Sequence, residues 1–287
     1  MKERFEEYLN KIFKKVKNTP EVVDLKNEIM SNLLEKSEEV KKYTSDEMEN
    51  YEICINSLGD LYSVIKEYKK DYNKLDKKIE LPKYKLGEEL MNSISHGIGV
   101  LLSIAGLVLG IIKANNGLSL FAILIYMISS IILYLVSCLY HSLKRNNAKR
   151  IFRIIDHCSI FILIAGTYTP IVLLKLPNPL GWWIFGIVWS LAIIGIVLNS
   201  IDIKRFKNIS MALYLIAGWC IIFSFKSLWN DMNHIGILLV LIGGIIYTVG
   251  AIIYGTQKKH IYMHSIFHIF CLIASIFFYI SIYIYVL

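Results

Sequence analysis

Seven apolar stretches, each about twenty residues long, leave this 287-residue chain few ways to fold. They cover approximately residues 90–112, 119–141, 152–174, 181–200, 209–228, 235–256 and 262–286, with short polar connections between them. A helix of about 20 apolar residues crosses a hydrocarbon core roughly 30 Å thick. Too little alternation is present for barrel strands. The expected fold class is therefore all-α and integral to a membrane. A seven-helix transmembrane bundle is expected over residues 90–287, a linker or interfacial segment at 81–89, and a small soluble helical domain at 1–80.

Charge then sets the orientation. Residues 1–87 hold 18 basic and 18 acidic side chains, whereas the rest holds 13 and 5, so the net charge of +8 belongs to the apolar part. A basic excess on a hydrophobic chain points to membrane orientation, and no nucleic-acid partner is expected. Lys144, Arg145, Lys149, Arg150 and Arg153 lie between the second and third stretches. Lys204, Arg205 and Lys207 join the fourth and fifth, and Lys258 and Lys259 the sixth and seventh. The alternate connections hold only Lys113, Lys175 and Lys226. The positive-inside rule then predicts a multi-pass cell-membrane protein with a cytoplasmic N-terminus and an extracytoplasmic C-terminus. No secretory signal is expected, because about ninety polar residues come first. The five cysteines lack paired spacing, so no disulfide framework is expected.

Residues 1–80 read as a helical bundle. Thr19-Pro20-Glu21 predicts a helix start with Thr19 as N-cap. Thr44-Ser45-Asp46-Glu47 has the form of a capping box. Gly59 suits a helix end and Asp60 a new cap, followed by an amphipathic stripe of Leu61, Ile65, Tyr68, Tyr72, Leu75 and Ile79. Ile55-Asn56-Ser57-Leu58-Gly59-Asp60 resembles the turn of HAAS-type helical domains fused to bacterial membrane sensors. Such a domain offers a surface for a cytoplasmic protein partner; self-packing or oligomerisation is the plainer role.

Ionisable groups at membrane depth are costly, so they are paired, liganded or lining a wet cavity. His141, Asp156, His264 and His268 all fall near the predicted cytoplasmic edge. His268 lies nine residues past Lys259, which places it roughly 14 Å inward at 1.5 Å per residue. His264 and His268 share one helical face, a spacing that suits a common metal. With His141 as third nitrogen, three imidazoles and a water give the donor set of a catalytic zinc. No Glu follows the first His, unlike in zincin helices, so the base comes from another helix; Asp156 is the candidate. Ser137, four residues before His141, shares its side and can bond a water or a carbonyl. Its alternative is a bond back to its own helix. Glu88, Asn92 and His96 form a polar stripe that can support the ligands or Asp156. For Glu88 a position in the interface, reaching towards water, is the competing reading. His157, His234 and His260 are expected outside the cluster, and Cys138, Cys158 and Cys271 as packing thiols.

The chain resembles the haemolysin III proteins, bacterial members of the progestin and adipoQ receptor superfamily. The resemblance is carried by Glu89-Leu90-Met91-Asn92-Ser93-Ile94-Ser95-His96-Gly97, Ser137-Cys138-Leu139-Tyr140-His141-Ser142 and Asp156-His157 with Ala165-Gly166-Thr167-Tyr168-Thr169-Pro170. Tyr262-Met263-His264-Ser265-Ile266-Phe267-His268, Gly218-Trp219 and Gly243-Gly244-Ile245-Ile246-Tyr247-Thr248 extend it over roughly residues 86–287. Ser95 stands where the family commonly has Thr, and the N-terminal extension departs from the usual bacterial pattern. The resemblance implies a seven-helix bundle, zinc on His141, His264 and His268, and Asp156 and Ser137 beside the water. Related alkaline ceramidases hydrolyse lipid amides with a similar site.

The expected function is a zinc-dependent hydrolase of lipid amides or esters, with membrane lipids as surroundings and a lipid as substrate. A membrane receptor or regulator with structural zinc is the alternative. A pore-forming cytolysin fits least, because the polar groups cluster near one face and leave no polar path across the bundle. Composition and spacing select neither one lipid nor one oligomeric state.

Overall fold

The computed structural model describes residues 1–14, 16, 20–61, 63, 65, 81–82, 84–256 and 262–287, and among these the chain forms helices joined by short connections, with no strand. The predicted Thr19 cap, the stripe residues Tyr68, Tyr72, Leu75 and Ile79, and Lys258, Lys259 and His260 lie outside the described residues. The chain divides into two compact units, one of residues 1–80 with 144–150 and one of residues 81–143 with 151–287.

The first unit contains α1 (Lys2–Phe13), α2 (Pro20–Val40) and α3 (Glu47–Ser57). Phe5, Leu9 and Phe13 recur every four residues on one face of α1 and bury against Ile29, Leu33 and Cys54. The cap of α3 falls two residues later than Thr44. Asp46 Oδ1 accepts the amide of Met48 at 2.8 Å, and Glu49 takes the Thr44 hydroxyl at 2.5 Å. A carboxylate accepts an amide more strongly than a hydroxyl does, so Asp46 prevails as the cap. Gly59 ends this stretch at φ +61°, a conformation glycine adopts without a Cβ clash, and Asp60 Oδ1 then accepts Ser63 N at 3.1 Å.

The second unit contains α4 (Leu86–Lys113), α5 (Gly117–Ser142), α6 (Asn147–Lys175), whose first residues belong to the other unit, α7 (Leu180–Trp219), α8 (Phe225–Asp231), α9 (His234–Thr256) and α10 (Met263–Ser281). A 3₁₀ turn at Cys220–Ser224 joins α7 to α8. On α4 the packing is inverted relative to a helix of a protein that folds in water. On α4 the buried positions are Glu88, Asn92, His96, Gly99, Ser103, Gly106 and Gly110, while Leu90, Ile94, Ile98, Leu101 and Val108 point outward. Small and polar residues between helices with aliphatics outside is the membrane arrangement. At Gly99 a Cβ would fall 2.5 Å from Tyr134 Cδ1, so only glycine lets α4 approach α5 there.

Among the described residues, six helical stretches are long and apolar enough to cross a membrane, rather than seven. The difference lies in Leu180–Asp231, a stretch of 52 residues that holds two of the expected segments. Within it Asp202 leaves the helical conformation, at φ −164° and ψ 100°. Its Oδ1 accepts the amides of Lys204 and Arg205 at 2.9 and 3.0 Å, capping the following turn. Ser210 Oγ donates to Asn199 Oδ1 at 2.6 Å. Eleven residues of unbroken helix would separate these two by about 16 Å, so the chain doubles back at Asp202.

Candidate metal centre

His141 sits in the last turn of α5, and His264 and His268 in the first two turns of α10. Helix α10 starts at Tyr262, which holds φ +66°, an uncommon conformation for a bulky residue. Glu88 stabilises that start. One carboxylate oxygen accepts Tyr262 N at 3.0 Å and the other accepts Lys85 N at 2.9 Å.

The three imidazoles turn the same nitrogen inward. His264 Nε2 lies 3.3 Å from His141 Nε2 and 3.0 Å from His268 Nε2. Ligand nitrogens at about 2.05 Å from a tetrahedral zinc stand roughly 3.3 Å apart. All three rings are buried, and this is the group among the described residues that can hold a metal ion.

The outward nitrogens explain the orientation. His141 Nδ1 lies 2.7 Å from Glu89 Oε2, with Asn92 Nδ2 at 3.3 Å. His268 Nδ1 lies 2.7 Å from His96 Nε2. A carboxylate or imidazole acceptor at Nδ1 keeps the proton there and leaves the Nε2 lone pair facing inward. His264 Nδ1, by contrast, is buried without a hydrogen-bond partner.

Beside the imidazoles runs a cavity of about 160 Å³, against the ~10–15 Å³ one water needs. Ser137, Asp156, His96, His264 and His268 line one part of it. Its remaining walls are mostly apolar and come from α5, α6, α7, α9 and α10, among them Leu133, Leu163, Leu215, Trp219 and Phe278. Ser137 Oγ is buried with no hydrogen-bond partner, so the bond back to its own helix does not form. Asp156 is buried, and among the described residues its ion-pair contact, His157 Nδ1 at 3.6 Å, is too long for a good hydrogen bond. His157 instead binds Arg153 O at 2.9 Å and approaches the Tyr254 hydroxyl of α9 at 3.4 Å.

The structure thus brings together His141, His264, His268, His96 and Asn92, and places Ser137 and Asp156 in the adjoining cavity. It corrects the reading of Glu88, which neither reaches out towards water nor touches an imidazole; both its oxygens are taken by backbone amides, because it lies in the first turn of α4 facing the start of α10. Two residues escaped the sequence reading. Glu89 is the carboxylate on His141, and its signal was the 3-then-4 spacing of Glu89, Asn92 and His96, a better single face than the 4-then-4 spacing from Glu88. Tyr84 stacks on His264 at 4.9 Å with 16° between the ring planes, and no periodicity marks it.

Apolar helices with polar interiors around a buried histidine cluster define a multi-pass membrane protein with an internal metal-type site. The chain belongs to the haemolysin-III related family, whose model matches residues 84–279. It is 42% identical over 191 residues to Hemolysin-3 of Bacillus cereus, covering 66% of this chain and 87% of that protein. It is 45% identical over 195 residues to the Hemolysin-3 homolog of Bacillus subtilis strain 168, covering 67% and 91%. A more distant likeness, 26% over 149 residues, reaches the human monocyte to macrophage differentiation factor, covering 50% of this chain and 61% of that protein.

Proposed function

We propose that this chain is a zinc-dependent hydrolase of lipid amides or esters, spanning the cell membrane seven times. Counting the two arms that meet at Asp202 separately gives the seventh span. The basic connections then put the N-terminus in the cytoplasm and the C-terminus outside. The observation that carries the reading is the convergence of three Nε2 atoms at 3.0 and 3.3 Å beside an apolar cavity that also holds Ser137 and Asp156.

His141, His264 and His268 hold the ion; zinc there supplies an acidified water and polarises the substrate carbonyl. Asp156 accepts the proton of the attacking water and returns it to the leaving group. Ser137 Oγ, without a partner of its own, donates to the carbonyl oxygen as negative charge builds on it. Glu89 and His96 hold two of the ligand rings in place through Nδ1. The apolar walls accept the acyl chain of a membrane lipid. The test is turnover of acyl amides and esters by the purified, zinc-loaded full chain. Asp156→Asn is expected to abolish turnover while zinc stays bound; full activity in that variant removes Asp156 from the mechanism.

One observation favours a second reading, a receptor or regulator with structural zinc. Residues 1–83 lie outside the family match, and among the described residues there Phe5, Leu9, Leu33, Cys54 and Ile65 pack about one core, suited to a cytoplasmic protein partner. Loss of signalling on deletion of residues 1–80, with zinc retained and no lipid turnover by the intact protein, would select it. The names of the Bacillus relatives speak of haemolysis, which is the least supported reading here. Haemolysis by purified protein lacking the three imidazoles would restore it.

A further inference from the structure

Each ring of the imidazole cluster must be held in one plane for its Nε2 to meet the others. His141 is held through Nδ1 by Glu89, and His268 through Nδ1 by His96. His264 has no such bond, since its Nδ1 is buried and unpartnered. What holds this ring is stacking. Tyr84 lies parallel to it at 4.9 Å and 16°, whereas Tyr254 and Phe267 meet it obliquely at 50° and 39°. Tyr84 also lies 5.7 Å from the His141 ring, so one phenol covers two of the three imidazoles.

The segment bearing Tyr84 is tied down next to the site. One residue on, the Lys85 amide is held by Glu88, whose other oxygen holds Tyr262 N at the start of α10. The Tyr262 hydroxyl also comes close to the backbone at Gly87, where an added Cβ would lie 2.9 Å from it. Tyr84, the cluster and α10 are therefore joined through one short strap.

We propose that Tyr84 is a positioning residue for His264 and a cover over the imidazole cluster, delivered by the strap that leads into α4. This rests on the reading of the cluster as a metal site. The ring face does the work: it fixes the imidazole plane where no hydrogen bond does, and it blocks a path by which water or a chelator reaches the ion.

The test is the rate at which detergent-purified, zinc-loaded full chain surrenders zinc to an excess of a coloured chelator. Tyr84→Ala and the bulkier Tyr84→Leu are expected to release it about tenfold faster, the scale on which groups that orient metal ligands act. Tyr84→Phe keeps the ring and is expected to release at the wild-type rate. The thermal midpoint of the zinc-free protein separates positioning from support, and it should be unchanged in all three. A zinc-loaded Tyr84→Leu protein that releases at the wild-type rate overturns the proposal. So does a Phe variant as fast as Leu, or a fall in the zinc-free midpoint that parallels the rates. A wild type that takes up no zinc fails differently: it removes the metal site itself, and this proposal with it.

Discussion

Glu89 Oε2 lies 2.7 Å from His141 Nδ1, on the edge of the ring opposite the nitrogen that faces His264. The carboxylate thereby selects the tautomer that presents a lone pair to the centre, and it makes that nitrogen a stronger donor to a cation. Replacing Glu89 with Ala is expected to weaken zinc binding by about 10- to 100-fold, with Gln intermediate because it can still accept the hydrogen bond. Competition against a chelator of known affinity measures this; equal affinities in wild type and Ala variant would leave Glu89 without a role at the site.

Elemental analysis of detergent-purified protein is expected to find about one zinc per chain, and none in the double variant His264→Ala/His268→Ala, because a lone imidazole on α5 cannot hold the ion. A folded wild type that stays metal-free after incubation with zinc would leave the three converging nitrogens in need of another explanation.

Ser137→Ala is expected to leave the zinc content unchanged and to lower turnover by about 10²-fold, the scale for loss of one donor to a developing oxyanion. A loss of zinc together with activity would assign Ser137 to support of the ligands instead.

Gly99 and Tyr134 set the spacing of α4 against α5, and Tyr134 in turn meets the His96 ring edge-on at 5.0 Å. Gly99→Val is expected to cost about 1–3 kcal/mol, since the added carbons press on a buried ring. The thermal midpoint in detergent reports the cost. Zinc affinity is expected to fall with it, as displacement of His96 loosens His268.

The reversal at Asp202 predicts topology as well as stability. Asp202→Ala removes the acceptor for two amides and is expected to cost about 0.5–2 kcal/mol. Single cysteines at Lys207 and Lys175, in a background without native cysteines, should react with an impermeant thiol reagent from opposite sides of the membrane. Labelling of both from one side would contradict the seven-span count.

Much of this was legible in the chain because it depends on neighbours within a turn or two. Hydropathy over twenty residues located the apolar helices, two of the expected segments falling in one 52-residue stretch, and the four-residue interval placed His264 and His268 on one face. The polar run into α4 announced that this helix turns charge inward, and Gly59 and Asp60 punctuate the N-terminal unit as their chemistry suggests. Two local readings slipped by a residue or two. Glu88 and Glu89 are adjacent carboxylates, and only the rotation of α4 about its axis decides which one meets His141. The cap at Asp46 rather than Thr44 turned on which acceptor reaches the first free amides.

What the sequence determined by itself was therefore the set of apolar helices, the inventory of polar groups they carry, and the donor types offered to a cation. The tertiary structure alone decided which nitrogen of each ring points inward, that His264 is held by the face of Tyr84 rather than by a hydrogen bond, and that the chain doubles back at Asp202. Those outcomes join residues up to 180 positions apart, and the energies that settle them come from helix rotation and packing, to which no local pattern of residues is sensitive.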